Sequence, residues 1–226
     1  MNTHAFFWWG IGKTVMAATT LALTPVKTYG LERLPRTGGA VLAANHLAWI
    51  DVPVLGAICP RRIVYLAKAE AHGTPGLGHV IRAFGTLAVR RGESDREAVR
   101  LARAAVRRND LLGMFVEGTR QRGGEPGKAL PGAAMVAIQE GVPAVPAAIY
   151  GSHLWRPGNF APISVAFGEP VRFDHLPKSS KGYREATAEI EAEIRRLWEF
   201  LGEMHRLGRP RGVPPRRAHV PSRVGE

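Results

Sequence analysis

The chain has one cysteine, Cys59, in 226 residues. That excludes an internal disulfide and a cysteine-based metal site, and it permits a reducing compartment. Cys59 ends the apolar stretch that begins at Val54 and reads as a small buried hydrophobe, not a nucleophile. Acidic residues are also scarce. Asp and Glu number 19 against 31 Lys and Arg, a formal net charge of +12. The imbalance points to an anionic partner, and nucleic acid, an acidic membrane surface and a phosphorylated substrate all fit. No internal repeat is present. The seven histidines other than His46 show no metal-ligand spacing.

Long apolar runs are nearly absent as well. Residues 5–23 are long enough to cross a bilayer, but Lys13 interrupts them. No basic residue precedes their apolar part and no small-residue cleavage site follows it, so a secretory signal is not expected. Phe6, Phe7, Trp8 and Trp9 favour a membrane interface. The segment 1–24 therefore reads as a membrane-associated helix, interfacial or half-inserted; a spanning helix or a cap on the domain's own core are the alternatives.

What is plentiful is apolar residue, 45% of the chain, enough for one sizeable core. Strand-like runs at 26–29, 40–45, 63–67, 86–89, 111–116, 142–150 and 163–167 alternate with helical stretches. The helices are expected near 51–59, over 94–108 with Ser94 as N-cap, at 132–140 and along 183–207. The pattern predicts an α/β single domain over 25–207, with a mixed, largely parallel sheet flanked by helices. The stripe from Tyr183 to Leu207 is expected to pack on that sheet. Arg96, Arg100, Arg103 and Arg107 fall on one side of the 94–108 helix, a solvated face or a contact for anionic headgroups. Residues 208–226 are rich in Arg, Pro and Gly and read as a disordered basic tail.

Two blocks carry chemistry. Asn45-His46-Leu47-Ala48-Trp49-Ile50-Asp51 follows the apolar run 40–44. A histidine at a strand end with an acid five residues on can form a base and its orienter: the imidazole takes a proton from an alcohol, and the carboxylate fixes the tautomer. On one continuous helix the two side chains would point ~140° apart. They meet only if the chain bends between them, as where a strand runs into a helix. Alone, the pair reads equally as a capped helix.

The second block is Phe115-Val116-Glu117-Gly118-Thr119-Arg120, where a strand passes into a loop. Gly118 lets backbone approach a ligand closely, Thr119 offers a hydroxyl, and Arg120 a fork that can hold a phosphate. Alone it would be a turn with a surface ion pair.

Taken in order, the motifs resemble the glycerolipid acyltransferase family. His46 to Asp51 resembles its His-x4-Asp block, preceded by Asn45. Gly85 to Arg91 resembles the second block and places its arginine at Arg91. Phe115 to Arg120 resembles the third, and Val142-Pro143-Ala144-Val145-Pro146 the fourth. Ala67 to Glu70 with Pro75 and Gly78, and Gly127-Lys128, are also similar. The resemblance covers about 26–170. Ala88 stands where the family prefers an aromatic, Val116 where it has proline, and Gln121 where it has serine.

The resemblance implies transfer of a fatty acyl chain from an acyl thioester, on coenzyme A or acyl carrier protein, to the free hydroxyl of 1-acyl-sn-glycerol-3-phosphate. Another lysolipid, such as an amino-acid lipid or glycolipid, is the alternative acceptor. It implies no cofactor and no metal. His46 and Asp51 would be catalytic. Asn45, Arg91, Glu117, Gly118, Thr119 and Arg120 would contact substrate, with Asn45 or Thr119 as oxyanion donors, Glu117 orienting Arg120 or the acceptor, and Lys68 and Lys128 in reserve. The enzyme would work at the cell membrane, peripheral or monotopic on its cytoplasmic side, beside anionic lipids and without nucleic acid. Two other readings compete: a metal-dependent phosphoesterase using His46, Asp51 and Glu117, and a non-catalytic module binding acidic membranes or nucleic acid.

Overall fold

A computed structural model describes residues 14, 17–68, 86–89 and 95–217, side chains at 67–68, 87–89 and 95–96 excepted. Among the described residues there are seven strands: β1 (Val26–Tyr29), β2 (Ala40–Ala44), β3 (Ile63–Lys68), β4 (Leu87–Val89), β5 (Leu111–Phe115), β6 (Ala144–Tyr150) and β7 (Ile163–Phe167). They form one sheet in the order β1-β7-β6-β2-β5-β3-β4. Every pairing is parallel except β6 with β7. The mixed, largely parallel α/β sheet expected from the sequence is thus present.

The central strands are apolar on both faces because helices cover both. All five residues of β2 are buried. One face carries α2 (Asp95–Arg107), α3 (Gly132–Glu140) and α4 (Ser180–Arg206). There Ala102, Ala105, Ala133, Ala137, Ile190 and Ile194 close over Val41, Ala43 and Leu112. The other face carries α1 (Asp51–Ile58), whose Val54 and Leu55 pack with Leu42, Ala44 and Val145. Fully burying such side chains contributes about 1.5–3 kcal/mol each.

The length of α1 is set locally. Pro53 sits in its first turn, where a missing N–H costs nothing. Cys59 precedes Pro60 and is extended, φ −70° and ψ 131°, which ends the helix. Pro146 lies inside a paired strand, an unusual place for proline. Its carbonyl accepts the N–H of Gly168, one residue past the end of β7, so the N–H that proline lacks faces a place where β7 has stopped.

The stripe on α4 packs on the sheet, with Ala186, Ile190, Ile194, Leu197 and Leu201 buried. The arginines of α2 are not a free cationic stripe. Arg103 and Arg107 both clamp Glu140 of α3, and Arg100 pairs with Glu97. Residues 208–217, expected to be part of a disordered tail, lie along β1 and α4: Tyr29 donates to the Pro210 carbonyl, Arg33 to that of Pro214 and Arg196 to that of Arg216. Most of the segment 1–24 falls outside the described residues; 17–23 are helical. No described helix is long and apolar enough to cross a membrane.

Candidate active site

The carboxyl ends of β2, β5 and β6, three adjacent parallel-running strands, meet at one edge of the sheet. Ligands of open α/β sheets bind at such edges. A cleft of about 690 Å³ opens there. Residues 46–49 reach it from β2, Gly118, Thr119, Arg120 and Arg122 from β5, and His153 and Arg156 from β6.

The bend after β2 brings His46 and Asp51 together. Nδ1 of His46 lies 2.8 Å from Oδ2 of Asp51. The same oxygen accepts the backbone N–H groups of Leu47 at 2.7 Å and Ala48 at 2.8 Å. Asp51 therefore holds the turn and the imidazole at once, and an acid in the first turn of α1 also suits the helix dipole. Asp51 is fully buried, while the His46 side chain keeps 16% of its surface exposed. A carboxylate only accepts, so Nδ1 carries the proton and Nε2 is left as the basic atom.

The imidazole is fixed from its face as well. It stacks on Phe115, with centroids 3.9 Å apart and planes 18° apart. Phe115 stacks in turn on Tyr65 at 5.9 Å. Gly113 permits this ladder, because a Cβ there would strike the Tyr65 ring.

Glu117 lies beneath the cleft. Its Oε2 accepts the His46 N–H at 2.6 Å and its Oε1 the Gly127 N–H at 2.8 Å. It ties the β2 and β5 loops together and does not orient Arg120. Burial pushes its carboxyl pKa up, against the two amide hydrogen bonds and the nearby His46. With both oxygens held by main chain, it does not converge with His46 and Asp51 on a common point, as the phosphoesterase reading requires. No metal-binding cluster of three or more His, Cys, Asp or Glu occurs among the described residues.

Asn45, expected to contact substrate, is likewise bound to main chain. It is fully buried, and its carboxamide donates to the Ile149 carbonyl at 3.0 Å and accepts the Ile149 N–H at 2.7 Å. It cross-links β2 to β6 and does not line the cleft. Gly118, Thr119 and Arg120 do line it, on a turn where Gly118 takes φ 70°. Lys128 is exposed and outside the lining. Arg91 and the Lys68 side chain lie outside the described residues.

Sequence reasoning missed Arg122, Arg156, Trp49 and His153, all in the lining. Trp49 falls inside the His46 to Asp51 block with no role assigned to it, and no motif marks the other three. The one available signal was position: 151–156 follow β6 at the carboxyl edge. Burial lowers the His153 pKa, with Asp51 opposing and Arg156 assisting. Among the described residues, three arginines and no acid face this cleft, so it attracts anions and can hold phosphate bidentately.

Comparison with known proteins gives the family and the fold. The family model described as acyltransferase matches residues 25–150. The 1-acyl-sn-glycerol-3-phosphate acyltransferase of Bacillus subtilis (strain 168) is 30% identical over 190 residues, covering 80% of this chain and 91% of its own. The lyso-ornithine lipid O-acyltransferase of Pseudomonas aeruginosa is 35% identical over 144 residues, 62% of this chain and 53% of its own. The crystal structure of the 1-acyl-sn-glycerophosphate acyltransferase PlsC from Thermotoga maritima superimposes with a TM-score of 0.68 at 23% identity, over 86% of this chain and 79% of that one. It shares the fold. Because the matched span runs from β1 through β6 and carries both His46 and Asp51, the chain belongs to the acyltransferase family and is an enzyme of acyl transfer.

Proposed function

We propose that the enzyme acylates the free hydroxyl of 1-acyl-sn-glycerol-3-phosphate, giving phosphatidic acid for phospholipid synthesis. The observation that carries this reading is a basic imidazole nitrogen at the mouth of a cleft lined by Arg120, Arg122 and Arg156. The acceptor phosphate binds the arginines, Arg91 among the expected contributors, and the hydroxyl then lies against Nε2 of His46. Nε2 takes the hydroxyl proton while the oxygen attacks the thioester carbonyl. The tetrahedral intermediate collapses, the C–S bond breaks, and the imidazolium returns its proton to the leaving thiolate. A thioester on coenzyme A or acyl carrier protein is already activated, so no covalent acyl-enzyme and no cofactor are required. General base catalysis of this kind contributes roughly 10²–10⁴-fold.

The oxyanion needs preorganised donors. The N–H of His46 is held by Glu117, those of Leu47 and Ala48 by Asp51, that of Gln121 by the His46 carbonyl and that of Gly118 by the Phe115 carbonyl. The N–H groups of Thr119 and Arg120, with the Thr119 hydroxyl, are among the donors left on this rim. They take the role in place of Asn45.

A lyso-ornithine acceptor is the second reading, since one relative carries that name. Its headgroup is zwitterionic, one carboxylate beside an ammonium, whereas a phosphate monoester carries up to two negative charges and no cation. The phosphate acceptor is favoured by the three arginines of the lining. The enzyme acts on the cytoplasmic face of the cell membrane, peripheral or monotopic, where acceptor and anionic lipids reside.

The deciding experiment offers a panel of lysolipids with both donor types and identifies the products by mass spectrometry. Phosphatidic acid should dominate, and His46→Ala should abolish its formation while leaving vesicle binding intact. Wild-type transfer by His46→Ala would end the mechanism.

A further inference from the structure

Exposed apolar side chains are not spread evenly over this protein. Apart from Leu207 and Val213, the large ones among the described residues are Leu21, Leu23, Trp49, Leu130, Leu154 and Phe160. All but Leu21 are tied to one face by the contacts around them. Trp49 lines the cleft and meets Trp155 edge to face, with centroids 5.3 Å apart. The Trp155 indole N–H donates to the Leu23 carbonyl at 3.2 Å. The Thr24 hydroxyl donates to the Ala161 carbonyl at 2.7 Å, which fixes the end of the N-terminal helical segment against the loop bearing Phe160. Leu130 touches the cleft from the far side, where a Cβ on Gly118 would meet it.

The loop from Leu154 to Phe160 is anchored by buried Trp155 and holds Leu154 and Phe160 outward. Oδ1 of Asn159 accepts the N–H groups of Arg156 at 3.0 Å and Ala161 at 3.1 Å, and Nδ2 of Asn159 donates to the Leu154 carbonyl at 2.9 Å. This side-chain staple fixes the loop without burying it. Leu154 is 60% exposed and Phe160 54%. Phe160 also has φ 48°, a left-handed conformation that costs energy for a bulky residue. A strained backbone that presents an aromatic ring to water gains nothing for the fold. Such strain persists where it serves a site. Arg156 stands in the same loop, its guanidinium on the carbonyls of His153 and Trp155, and Arg120 and Arg122 lie across the cleft. An apolar tip backed by cations is complementary to one partner in particular: a bilayer surface with anionic headgroups above an acyl-chain boundary.

We infer that the Leu154 to Phe160 loop, flanked by Trp49 and Leu23, is a wedge that enters the acyl-chain boundary of an anionic bilayer and seats the cleft mouth upon it. This rests on the proposed lysolipid chemistry, since an acceptor with its acyl chain in the bilayer reaches His46 only if the cleft opens onto that bilayer. It assigns membrane contact to a loop of the catalytic domain that meets the segment 5–23 only at its end, at Leu23. Leu154 and Phe160 enter the apolar boundary, and Arg156 meets the headgroups.

The test uses the full chain. Cys59 is buried, so Phe160→Cys supplies an accessible thiol for an environment-sensitive dye, and Val213→Cys serves as the off-face control. With vesicles of equal phosphatidylglycerol and phosphatidylcholine, the dye at 160 should shift to the blue, brighten at least twofold and be quenched by lipids brominated on the acyl chain. The dye at 213 should do none of these. A dye at 160 that ignores vesicles to which the protein binds, or a protein that binds none, overturns the inference. So does a blue shift without lipid that tracks self-association, which would make this face a contact between copies. The double variant Leu154→Ser with Phe160→Ser should lose at least fivefold of its transfer to a vesicle-embedded acceptor and keep its transfer to a short-chain, monomeric one. Equal loss on both would also overturn it. Phe160→Gly should melt no lower than the parent, since glycine accepts the left-handed backbone, and yet bind vesicles less well. If the dye at 160 inserts but no lysolipid is acylated, the substrate reading falls and the wedge stands.

Discussion

One oxygen of Asp51 holds both the His46 imidazole, at 2.8 Å, and the turn that carries it, through the amides of Leu47 and Ala48. The acid thus sets where the base stands as well as which nitrogen bears the proton. The two roles separate on substitution. Asp51→Asn keeps an oxygen for the amides but removes the charge that stabilises an imidazolium. It should melt close to wild type and lose roughly 10²–10⁴ in kcat. Asp51→Ala should lose the activity and also melt lower, because buried amides are left unsatisfied at about 1–3 kcal/mol each. Circular dichroism melts beside steady-state kinetics would separate the roles, and an Asp51→Asn enzyme of normal kcat would refute the orienting one.

Asn45 makes the opposite forecast. Its carboxamide is spent on both polar groups of Ile149 in the neighbouring strand. Asn45→Ala should lower the urea midpoint, each orphaned backbone group costing about 1–3 kcal/mol. The folded fraction should bind acceptor with unchanged KM. A raised acceptor KM without loss of stability would return Asn45 to the substrate site.

The arginines are a matter of affinity. Arg120→Ala and Arg122→Ala should each raise the acceptor KM several-fold and leave the donor KM within twofold, and Arg91→Ala should do likewise. Added salt should weaken the acceptor in parallel, since exposed charges are screened. Equal effects on donor and acceptor would reassign these residues to the thioester carrier.

Acid should destabilise the fold through histidine. Burial holds His205 below its usual value of 6.5, with Arg209 adding to the shift, and His153 is lowered mainly by burial too. A group whose folded pKa is depressed binds fewer protons folded than unfolded. Its contribution is intact above about 6.5 and is lost as pH falls through the folded value. His205 also shares a hydrogen bond of 2.9 Å with buried Ser164. Melting temperature should therefore decline from pH 6.5 downward, and His205→Gln should flatten part of that decline. An unchanged slope in His205→Gln would show that other groups carry the acid sensitivity.

Much of this was legible one residue at a time. The strand-like runs marked the sheet because parallel strands covered on both faces must be apolar throughout. Cys59 before Pro60 marked the end of α1, since proline restricts the residue ahead of it. The five-residue spacing from His46 to Asp51 required a bend, and the bend is there. The sequence misled where a side chain's role depends on a partner far along the chain. Glu117 next to Gly118-Thr119-Arg120 invited a local ion pair, but its partners are the amides of residues 46 and 127. The α2 arginines suggested an open basic face until Glu140 arrived from α3.

Chain chemistry alone determined the apolar strands, the helix stops and the base with its acid, because each depends on residues within a turn or two of one another. Tertiary structure alone decided which cations share a cleft with His46, that Asn45 is a strand tie, and that Phe160 stands exposed beside the mouth. Those are distances between segments 70 to 130 residues apart, and only the crossing order of the strands sets them.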